Sequence, residues 1–252
     1  MWVLTRNIKW LLERAKKINS RLILALDLYA EPRTLRRNDV KDQADSLLSR
    51  LCSYVVAIKI GWPTILTLGV DEIKDLIDKH REFYYIADMK IADVGHVNRV
   101  LCKYADYMGF DAVIVHAIIG RVGGLDDVVS EVHEKGGAVF ALCAMSHRGA
   151  EDALNRNFRD LLKLSINANV DGFVLPATQP YYIAEARKII GYDKVIISPG
   201  VIAQGACIGD AIKHGSDFEI IGRGIYASKD PIKSAKEFAS KLKWSSGDNY
   251  EP

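Results

Sequence analysis

Eight short apolar runs alternate with helix-like segments along this chain, and this repeat restricts the possible folds more than any other feature. Runs such as Leu22–Leu26 and Ala138–Leu142 are apolar throughout, which is typical of parallel strands buried on both faces. The strands are predicted at 22–26, 55–58, 83–87, 112–115, 138–142, 172–175, 195–197 and 218–221. A doubly wound open sheet is the alternative but usually has fewer strands, so the repeat predicts an α/β fold of the (β/α)8 TIM barrel type.

Apolar residues at helical spacing fill the intervals between the predicted strands and continue past the last one. The predicted helices cover about 39–51, 62–79 with a break near 69, 94–108, 125–134, 155–168, 181–190, 205–214 and 231–242. An extra amphipathic helix at 2–18 precedes the first strand. Because no linker or low-complexity segment occurs before 245, we expect a single barrel domain over 1–244, including this N-terminal helix, and a flexible tail over 245–252.

Composition narrows the class of protein without identifying it. The chain has 252 residues, enough for one large domain, and its formal net charge of +2 with no basic block makes nucleic acid an unexpected partner. No apolar run reaches the ~18 residues of a membrane span, and charges interrupt any signal-peptide core. The four cysteines are scattered in apolar patterns, which favours buried thiols over disulfides or zinc ligands. We therefore expect a soluble, cytoplasmic protein that does not bind membranes.

Charged residues gather where the third predicted strand ends. The apolar run at 83–87 is followed by Asp88, Lys90 and Asp93. Side chains alternate along a strand, so Asp88 and Lys90 should point to the same side, and burying such charges is costly unless they are paired or used. These three residues alone fit two interpretations: a catalytic cluster, or a solvated turn in which Asp93 caps the next helix.

Polar residues follow several other predicted strands in the same way. The carboxyl ends of barrel strands meet at one face, and that face carries the working residues of barrel enzymes. Each of these residues alone could begin a turn, extend into solvent or cap a helix. Their joint occurrence at one rim favours an active site formed by Asp27, Lys59, Asp88 with Lys90, Ser146 and Arg223.

The loops after the seventh and eighth strands predict a phosphate site. Glycine lets backbone N–H groups approach a phosphate closely, and an arginine fork suits phosphate oxygens. Barrel enzymes often bind phosphate at this pair of loops, although these glycines could merely turn the chain. The candidate residues are Pro199, Gly200, Val201, Gln204, Gly222 and Arg223. The histidines show no metal-ligand spacing, so no metal site is predicted.

Five motifs occur in the order found in one known enzyme family. They are Ile58-Lys59-Ile60-Gly61, Asp88-Met89-Lys90-Ile91-Ala92-Asp93, Met145-Ser146-His147, Ser198-Pro199-Gly200-Val201 with Gln204-Gly205, and Ile221-Gly222-Arg223. With these motifs the chain resembles the orotidine 5′-monophosphate decarboxylase family over nearly the whole barrel. The resemblance implies decarboxylation of orotidine 5′-monophosphate to uridine 5′-monophosphate in de novo pyrimidine biosynthesis, by a homodimer that uses no metal and no cofactor.

The resemblance also implies separate roles for four charged residues. Lys90 corresponds to the acid that protonates C6 of the pyrimidine as carbon dioxide leaves, and Asp88 lies beside the departing carboxylate. Asp93 reaches the same site from the partner subunit, while Lys59 bridges these carboxylates and the ribose. Flanking carboxylates favour the charged form of a lysine, which suits the donor role implied for Lys90.

The implied substrate contacts come from the remaining rim residues. Asp27 holds a ribose hydroxyl, Ser146 contacts the pyrimidine ring, and Gln204 and Arg223 hold the phosphate.

The chain departs from the family pattern at two places. After Asp93 the family usually has a proline and then a threonine, where this chain has Gly95 and Val97. Any contact that Val97 makes with the ring or ribose therefore lacks a hydroxyl. The continuation after Gln204 also differs, which puts its detailed phosphate contacts in doubt.

Two rival functions fit parts of the same sequence. Magnesium-dependent ketogulonate-phosphate decarboxylases and hexulose-phosphate synthases share the Asp88 to Gly95 pattern, and Gly95 suits them. They place an acidic metal ligand where this chain has Lys59, however, and an ammonium there would repel the ion. The second rival is a phosphate-binding barrel without catalysis, against which the intact charged set argues.

Overall fold

The computed structural model describes residues 7–31, 33 and 36–244, and these form a closed barrel of eight parallel strands. Each strand pairs with the next, and the last closes the barrel on the first, so that Leu24 lies opposite both Ile58 and Ile221. The strands are β1 (Leu22–Leu26), β2 (Ala57–Gly61), β3 (Tyr84–Ile91), β4 (Ala112–His116), β5 (Ala138–Leu142), β6 (Gly172–Val174), β7 (Val195–Pro199) and β8 (Phe218–Ile221). The predicted TIM barrel is confirmed.

The helices follow the predicted alternation with the strands. They are α1 (Ile8–Ile18), α2 (Arg37–Leu51), α3 (Trp62–Leu68), α4 (Val70–Lys79), α5 (Gly95–Met108), α6 (Asp126–Glu134), α7 (Phe158–Asn167), α8 (Pro180–Ile190), α9 (Asp210–Lys213), α10 (Arg223–Tyr226) and α11 (Pro231–Lys241). No helix in the described part of the chain is long and apolar enough to cross a membrane. The expected first residues of α1, at 2–6, and the expected tail at 245–252 lie outside the described residues.

Three boundaries differ from the prediction in ways that matter for the site. Strand β2 continues to Gly61 and strand β3 to Ile91, so they contain Lys59 and Asp88 instead of ending before them. The helix expected at 205–214 is reduced to the single turn of α9. Gly200, Gly205 and Gly209 have φ values of 106°, 99° and 88°, so the chain forms an irregular loop before α9.

Two apolar layers stabilise the barrel: an outer layer between the strands and the helices, and an inner layer in the interior of the barrel. The inner layer includes Tyr84, Phe140 and Phe218, and it continues into the buried face of α1. Trp10 on α1 stacks on Tyr84 with ring centroids 6.1 Å apart, and Arg14 donates to the Val56 carbonyl at 3.0 Å. Helix α1 thus closes the amino-terminal end of the barrel and leaves the other end open.

Three aspartates fasten the same closed end with one repeated contact. Each stands directly before an even-numbered strand and accepts a hydrogen bond from a backbone N–H of the preceding odd-numbered strand. The pairs are Asp111 with Tyr85 at 2.8 Å, Asp171 with Val139 at 2.8 Å and Asp217 with Ile196 at 2.7 Å. These bonds fix strand register at the face that serves stability in barrel enzymes.

The cysteines only partly match the expectation of burial. Cys102 and Cys143 are buried, and burial raises the pKa of each thiol to about 12. Cys52 is half-buried and Cys207 is exposed, and neither forms a disulfide. The prediction of burial was wrong for Cys207 because its segment is the irregular loop before α9 and not an apolar helix face.

Candidate active site

A cavity of about 300 Å³ opens at the carboxyl ends of the strands, a size at the lower end of the range for small-molecule sites. Its floor is apolar, and includes Ile114, Leu142, Val174 and Ile220 from four strands. One wall carries Asp27, directly after β1, and charged side chains from β2 and β3. The loops after β5, β7 and β8 complete the rim, and the loop after β8 adjoins the wall because β8 pairs with β1. The rim residues that the sequence predicted as candidates and that line this cavity are Asp27, Lys59, Asp88, Lys90, Ser146, Pro199, Gly200, Val201, Gln204, Gly222 and Arg223.

The charged wall is a row of alternating carboxylates and ammonium groups. Lys59 Nζ lies 2.7 Å from Asp88 Oδ2 and 3.4 Å from Asp27 Oδ1. Lys90 Nζ lies 2.7 Å from the other oxygen, Asp88 Oδ1. Lys59 is 6% exposed and Asp88 is 8% exposed, so both charges depend on pairing to offset the cost of burial.

Mutual pairing also fixes the ionisation of the two buried members. Burial by itself raises the pKa of Asp88, but the Lys59 and Lys90 charges outweigh it and lower that pKa to about 2. Burial lowers the pKa of Lys59, yet Asp88 and Asp27 together raise it above its ordinary value. At neutral pH Asp88 is therefore a carboxylate and Lys59 an ammonium.

The end of β3 has an irregular backbone that sets the direction of Lys90. The pairing of β3 with β4 shifts register between Ala87 and Ile91, which is a β-bulge. Within this bulge Lys90 has a φ of 45°, in the left-handed region that costs an L-residue roughly 1–2 kcal/mol. Asp88 and Lys90 meet on the cavity side, as strand alternation predicted, although the strand there is not regular.

Three residues to which the sequence analysis gave no individual role support the charged row. Gly61 is needed because a Cβ there would lie 2.8 Å from Asp27 Oδ1. The buried Thr64 hydroxyl contacts the carbonyl oxygens of Leu26 and Leu28 at 2.8 and 2.7 Å, which fixes the backbone on both sides of Asp27. Trp62 Nε1 donates to the Met89 carbonyl at 2.8 Å, inside the bulge. The adjacent Trp-Pro-Thr sequence marked a helix start, but nothing in it indicated these partners.

The loops opposite the charged row contact each other across the cavity rim. Ser146 Oγ donates to Gln204 Oε1 at 2.7 Å, which joins the loops after β5 and β7. Two features favour glycine at position 200: its φ of 106° is unfavourable for other residues, and a Cβ there would lie 3.0 Å from Gln204 Oε1. Arg223 begins α10 beside them. The rim therefore presents an amide, a hydroxyl and a guanidinium, groups that can bind phosphate oxygens.

Comparison with known proteins assigns the chain to a family. A family model described as "Orotidine 5′-phosphate decarboxylase / HUMPS family" matches residues 20–238. The chain belongs to this family. Orotidine 5′-phosphate decarboxylase of Methanococcoides burtonii is 36% identical over 224 residues, which cover 88% of this chain and 97% of the relative. The protein of the same name from Methanosarcina mazei is 37% identical over 89% of this chain and 96% of its own.

A solved structure supports the same assignment. Orotidine 5′-monophosphate decarboxylase of Methanocaldococcus jannaschii, complexed with the inhibitor BMP, superposes with a TM-score of 0.75 at 30% sequence identity. The superposition covers 88% of this chain and 98% of that one. Since the match spans the whole barrel, the family resemblance seen in the sequence motifs is confirmed.

The first departure from the family pattern has a structural cause. A Cβ at Gly95 would lie 1.8 Å from Asp127 Oδ2 and 3.2 Å from the Gly123 carbonyl oxygen. Asp127 is held there by Arg99, whose Nη2 lies 2.6 Å from its other oxygen. No side chain, a proline ring included, fits at 95 while Asp127 keeps this position. Glycine at 95 and aspartate at 127 therefore belong together.

Two predicted site residues lie apart from the cavity. Asp93 and Val97 are not among the described residues that line the cavity. Asp93 is exposed and Val97 is half-buried. The alternative role of Asp93 as helix cap was wrong, because Val94 is the N-cap of α5, and Asp93 Oδ1 accepts from the N–H of that adjacent residue at 2.7 Å. The sequence reasoning missed Asn98, which is fully buried and contacts both Asp93 N at 3.0 Å and Asp93 O at 2.6 Å.

Proposed function

We propose that this protein is an orotidine 5′-phosphate decarboxylase, which converts orotidine 5′-monophosphate to uridine 5′-monophosphate in de novo pyrimidine biosynthesis. The observation that carries the proposal is the row Asp27–Lys59–Asp88–Lys90 on one wall of a cavity whose other rim can bind phosphate. Family membership and relatives named for this reaction give the substrate.

Lys90 is the proton donor in this proposal. The bond between C6 and the carboxylate breaks, its electron pair stays on C6, and an Nζ proton of Lys90 moves to that carbon. Two features support the assignment: Lys90 lines the cavity, and its side chain is only partly buried, unlike that of Lys59. Asp88, ionised at neutral pH, orients the Lys90 ammonium through the 2.7 Å contact.

Proton donation alone does not account for catalysis without a cofactor. General acid catalysis typically contributes ~10²–10⁴-fold, or about 3–5 kcal/mol, whereas enzymes lower barriers by ~8–23 kcal/mol. Binding energy from the phosphate must therefore hold the pyrimidine ring against the charged wall. In this proposal the phosphate is bound by the side chains of Gln204 and Arg223. The backbone of Pro199 to Val201 and of Gly222 also contacts it. Ser146 contacts the ring, and Lys59 and Asp27 contact the ribose.

The charged wall argues against the magnesium-dependent members of the wider family. Lys59 Nζ lies between Asp88 Oδ2 and Asp27 Oδ1, where it occupies the space that a cation would need and repels it. The residues present thus do not fit a divalent ion, and no step of the proposed reaction uses one.

Turnover in the presence of EDTA tests the function directly. The purified protein should convert orotidine 5′-monophosphate to uridine 5′-monophosphate, which is followed as a loss of ultraviolet absorbance. Turnover only of a sugar phosphate, and only with magnesium, would select the rival enzyme class. Binding of uridine 5′-monophosphate without any turnover would instead identify a barrel that has lost catalysis.

Substitution of Lys90 tests the proposed proton donor. Lys90→Ala should lower kcat by at least ~10²–10⁴-fold, the usual contribution of a general acid. Uridine 5′-monophosphate should still bind, measured by calorimetry, because the phosphate contacts remain. Lys163→Ala, on the exposed face of α7, is the matched control and should keep wild-type kcat. A loss of only a few-fold in Lys90→Ala would remove Lys90 from this role.

We further propose that the working unit is a cytoplasmic homodimer in which Asp93 enters the partner's site. Asp93 lies beside an apolar surface: Val94 is 55% exposed, and Val100 and Tyr104 on α5 are also exposed. Val122, in a turn that contacts α5, is 93% exposed. Clustered exposed apolar residues mark protein interfaces. The free cysteines of the described chain suit the reducing cytoplasm.

A further inference from the structure

One buried asparagine makes a two-point contact with the segment that carries Ser146. Asn155 is 3% exposed and opens a short 3₁₀ turn, Asn155–Asn157. Its Oδ1 accepts from the Met145 N–H at 3.0 Å, and its Nδ2 donates to the Met145 carbonyl at 3.0 Å. With the amide turned around, two donors would face each other at Met145 N, so the network itself fixes its orientation.

The Asn155 amide also contacts side chains on the side away from Met145. Its Nδ2 also donates to Glu151 Oε1 at 2.6 Å and lies 3.3 Å from Gln179 Oε1. The Glu151 carboxylate in turn accepts from Gln179 Nε2 at 3.4 Å and from the Tyr182 hydroxyl at 3.3 Å. Because Tyr182 lies on α8 and Gln179 directly precedes α8, Asn155 connects the segment after β5 to the start of α8.

We propose that Asn155 is a positioning residue for the reaction: through Met145 it holds Ser146 where its hydroxyl meets Gln204. Met145 and Ser146 both line the cavity, whereas Asn155 does not touch it. The chain of contacts runs from Asn155 to the Met145 backbone, to the adjacent Ser146, and across the rim to Gln204 at 2.7 Å. The inference rests on the proposed function, since Ser146 and Gln204 are its substrate contacts.

Removal of the amide has a defined consequence. Asn155→Ala leaves the Met145 N–H and C=O without these partners and removes the link from Met145 to Glu151. Ser146 and Gln204 then lose their alignment, and small misplacements of substrate contacts can cost ~10²-fold in rate. We expect kcat/KM to fall about 10- to 100-fold, with the Ser146–Gln204 contact as the route of the effect.

A double-variant experiment separates positioning from a general structural role. The kcat and KM for orotidine 5′-monophosphate are measured for wild type, Asn155→Ala, Ser146→Ala and the double variant. If Asn155 acts through Ser146, its substitution costs less than about 3-fold once Ser146 is already alanine, because coupled residues are not additive. A purely structural role would cost the same factor in both backgrounds and would overturn the proposal.

Two further variants keep the result interpretable. Asn157→Ala removes a neighbouring, exposed amide that donates to the Ala153 carbonyl at 2.7 Å, and it should keep wild-type kcat/KM. If Asn155→Ala does not fold, Asn155→Asp is used in its place, because it keeps the size and the acceptor for the Met145 N–H but replaces the donating NH2 group by a second acceptor oxygen. If the wild-type chain turns over substrate and the Asn155 variants keep wild-type kcat/KM, the inference is refuted while the proposed function stands. Absence of turnover by the wild-type chain refutes the proposed function, and the inference with it.

Discussion

The Nζ atom of Lys90 lies 2.7 Å from Oδ1 of Asp88, while the Lys90 backbone has a φ of 45° that L-residues rarely adopt. The two facts are connected, because the bulge that produces the unusual φ also determines the direction of the Lys90 side chain at the end of β3. Strain at a functional position persists only where the surroundings enforce it. Here Trp62 Nε1 donates a hydrogen bond to the carbonyl of the neighbouring Met89 at 2.8 Å, and Asp88 accepts one from the Lys90 ammonium.

This strain predicts an unusual order of stability for two variants of Lys90. Both Lys90→Gly and Lys90→Ala remove the charge, but only glycine adopts a positive φ without cost. Lys90→Gly should therefore have a free energy of unfolding about 1 kcal/mol higher than that of Lys90→Ala, measured by urea denaturation. The same pair at Lys163, inside α7, should show the opposite order, since glycine destabilises a helix by roughly 0.5–1 kcal/mol. Equal stability of the two Lys90 variants would contradict the argument.

The depressed pKa of Asp88 predicts how stability changes in acid. The folded-state pKa is about 2, below its ordinary 3.8, so folding favours the carboxylate. The resulting stabilisation, about 2 kcal/mol by linkage, is present above pH ~4 and is lost as pH falls towards ~2. Urea denaturation at a series of pH values should show this loss in wild type. Asp88→Asn should show a shallower decline over the same interval, and an identical decline would refute the assignment.

The sequence predicted the barrel and its cavity rim because both depend on local periodicity and on strand ends. Continuous apolar runs marked every strand, and the rim residues followed from the rule that strand ends converge. The loop before α9 was misjudged because apolar residues at helical spacing outweighed the signal of Gly205 and Gly209, which both have positive φ. In this segment the conformational freedom of glycine determines the structure, although the apolar spacing favours a helix.

The supporting contacts could not be predicted for a different reason. The Thr64 hydroxyl reaches Leu26 and Leu28 from 38 and 36 residues away, and no local pattern distinguishes it from a threonine in solvent. Asn98 is similarly inconspicuous in sequence, since a buried asparagine on α5 reads as an ordinary polar helix position. Such contacts depend on the tertiary arrangement, which spacing does not encode.

The pairing of Gly95 with Asp127 predicts a conditional effect of one methyl group. Gly95→Ala should lower the free energy of unfolding by about 1–3 kcal/mol, because the new Cβ displaces Asp127 from Arg99. In an Asp127→Ala background the same substitution should cost clearly less, since the 1.8 Å overlap is gone. Thermal unfolding of the four proteins measures the difference. An equal cost in both backgrounds would mean that another contact, such as the Gly123 carbonyl, determines the choice of glycine.

Subunit mixing tests whether Asp93 serves the partner's site. Asp93→Ala and Lys90→Ala should each be nearly inactive alone, but a mixed dimer contains one site with both residues intact. Random exchange of subunits should therefore restore about one quarter of wild-type activity, because half of the dimers are mixed and each has one intact site. Asp88→Ala mixed with Lys90→Ala is the control, and it should stay inactive because both residues belong to the same subunit's wall. If Asp93→Ala also fails to recover on mixing, Asp93 acts within its own subunit.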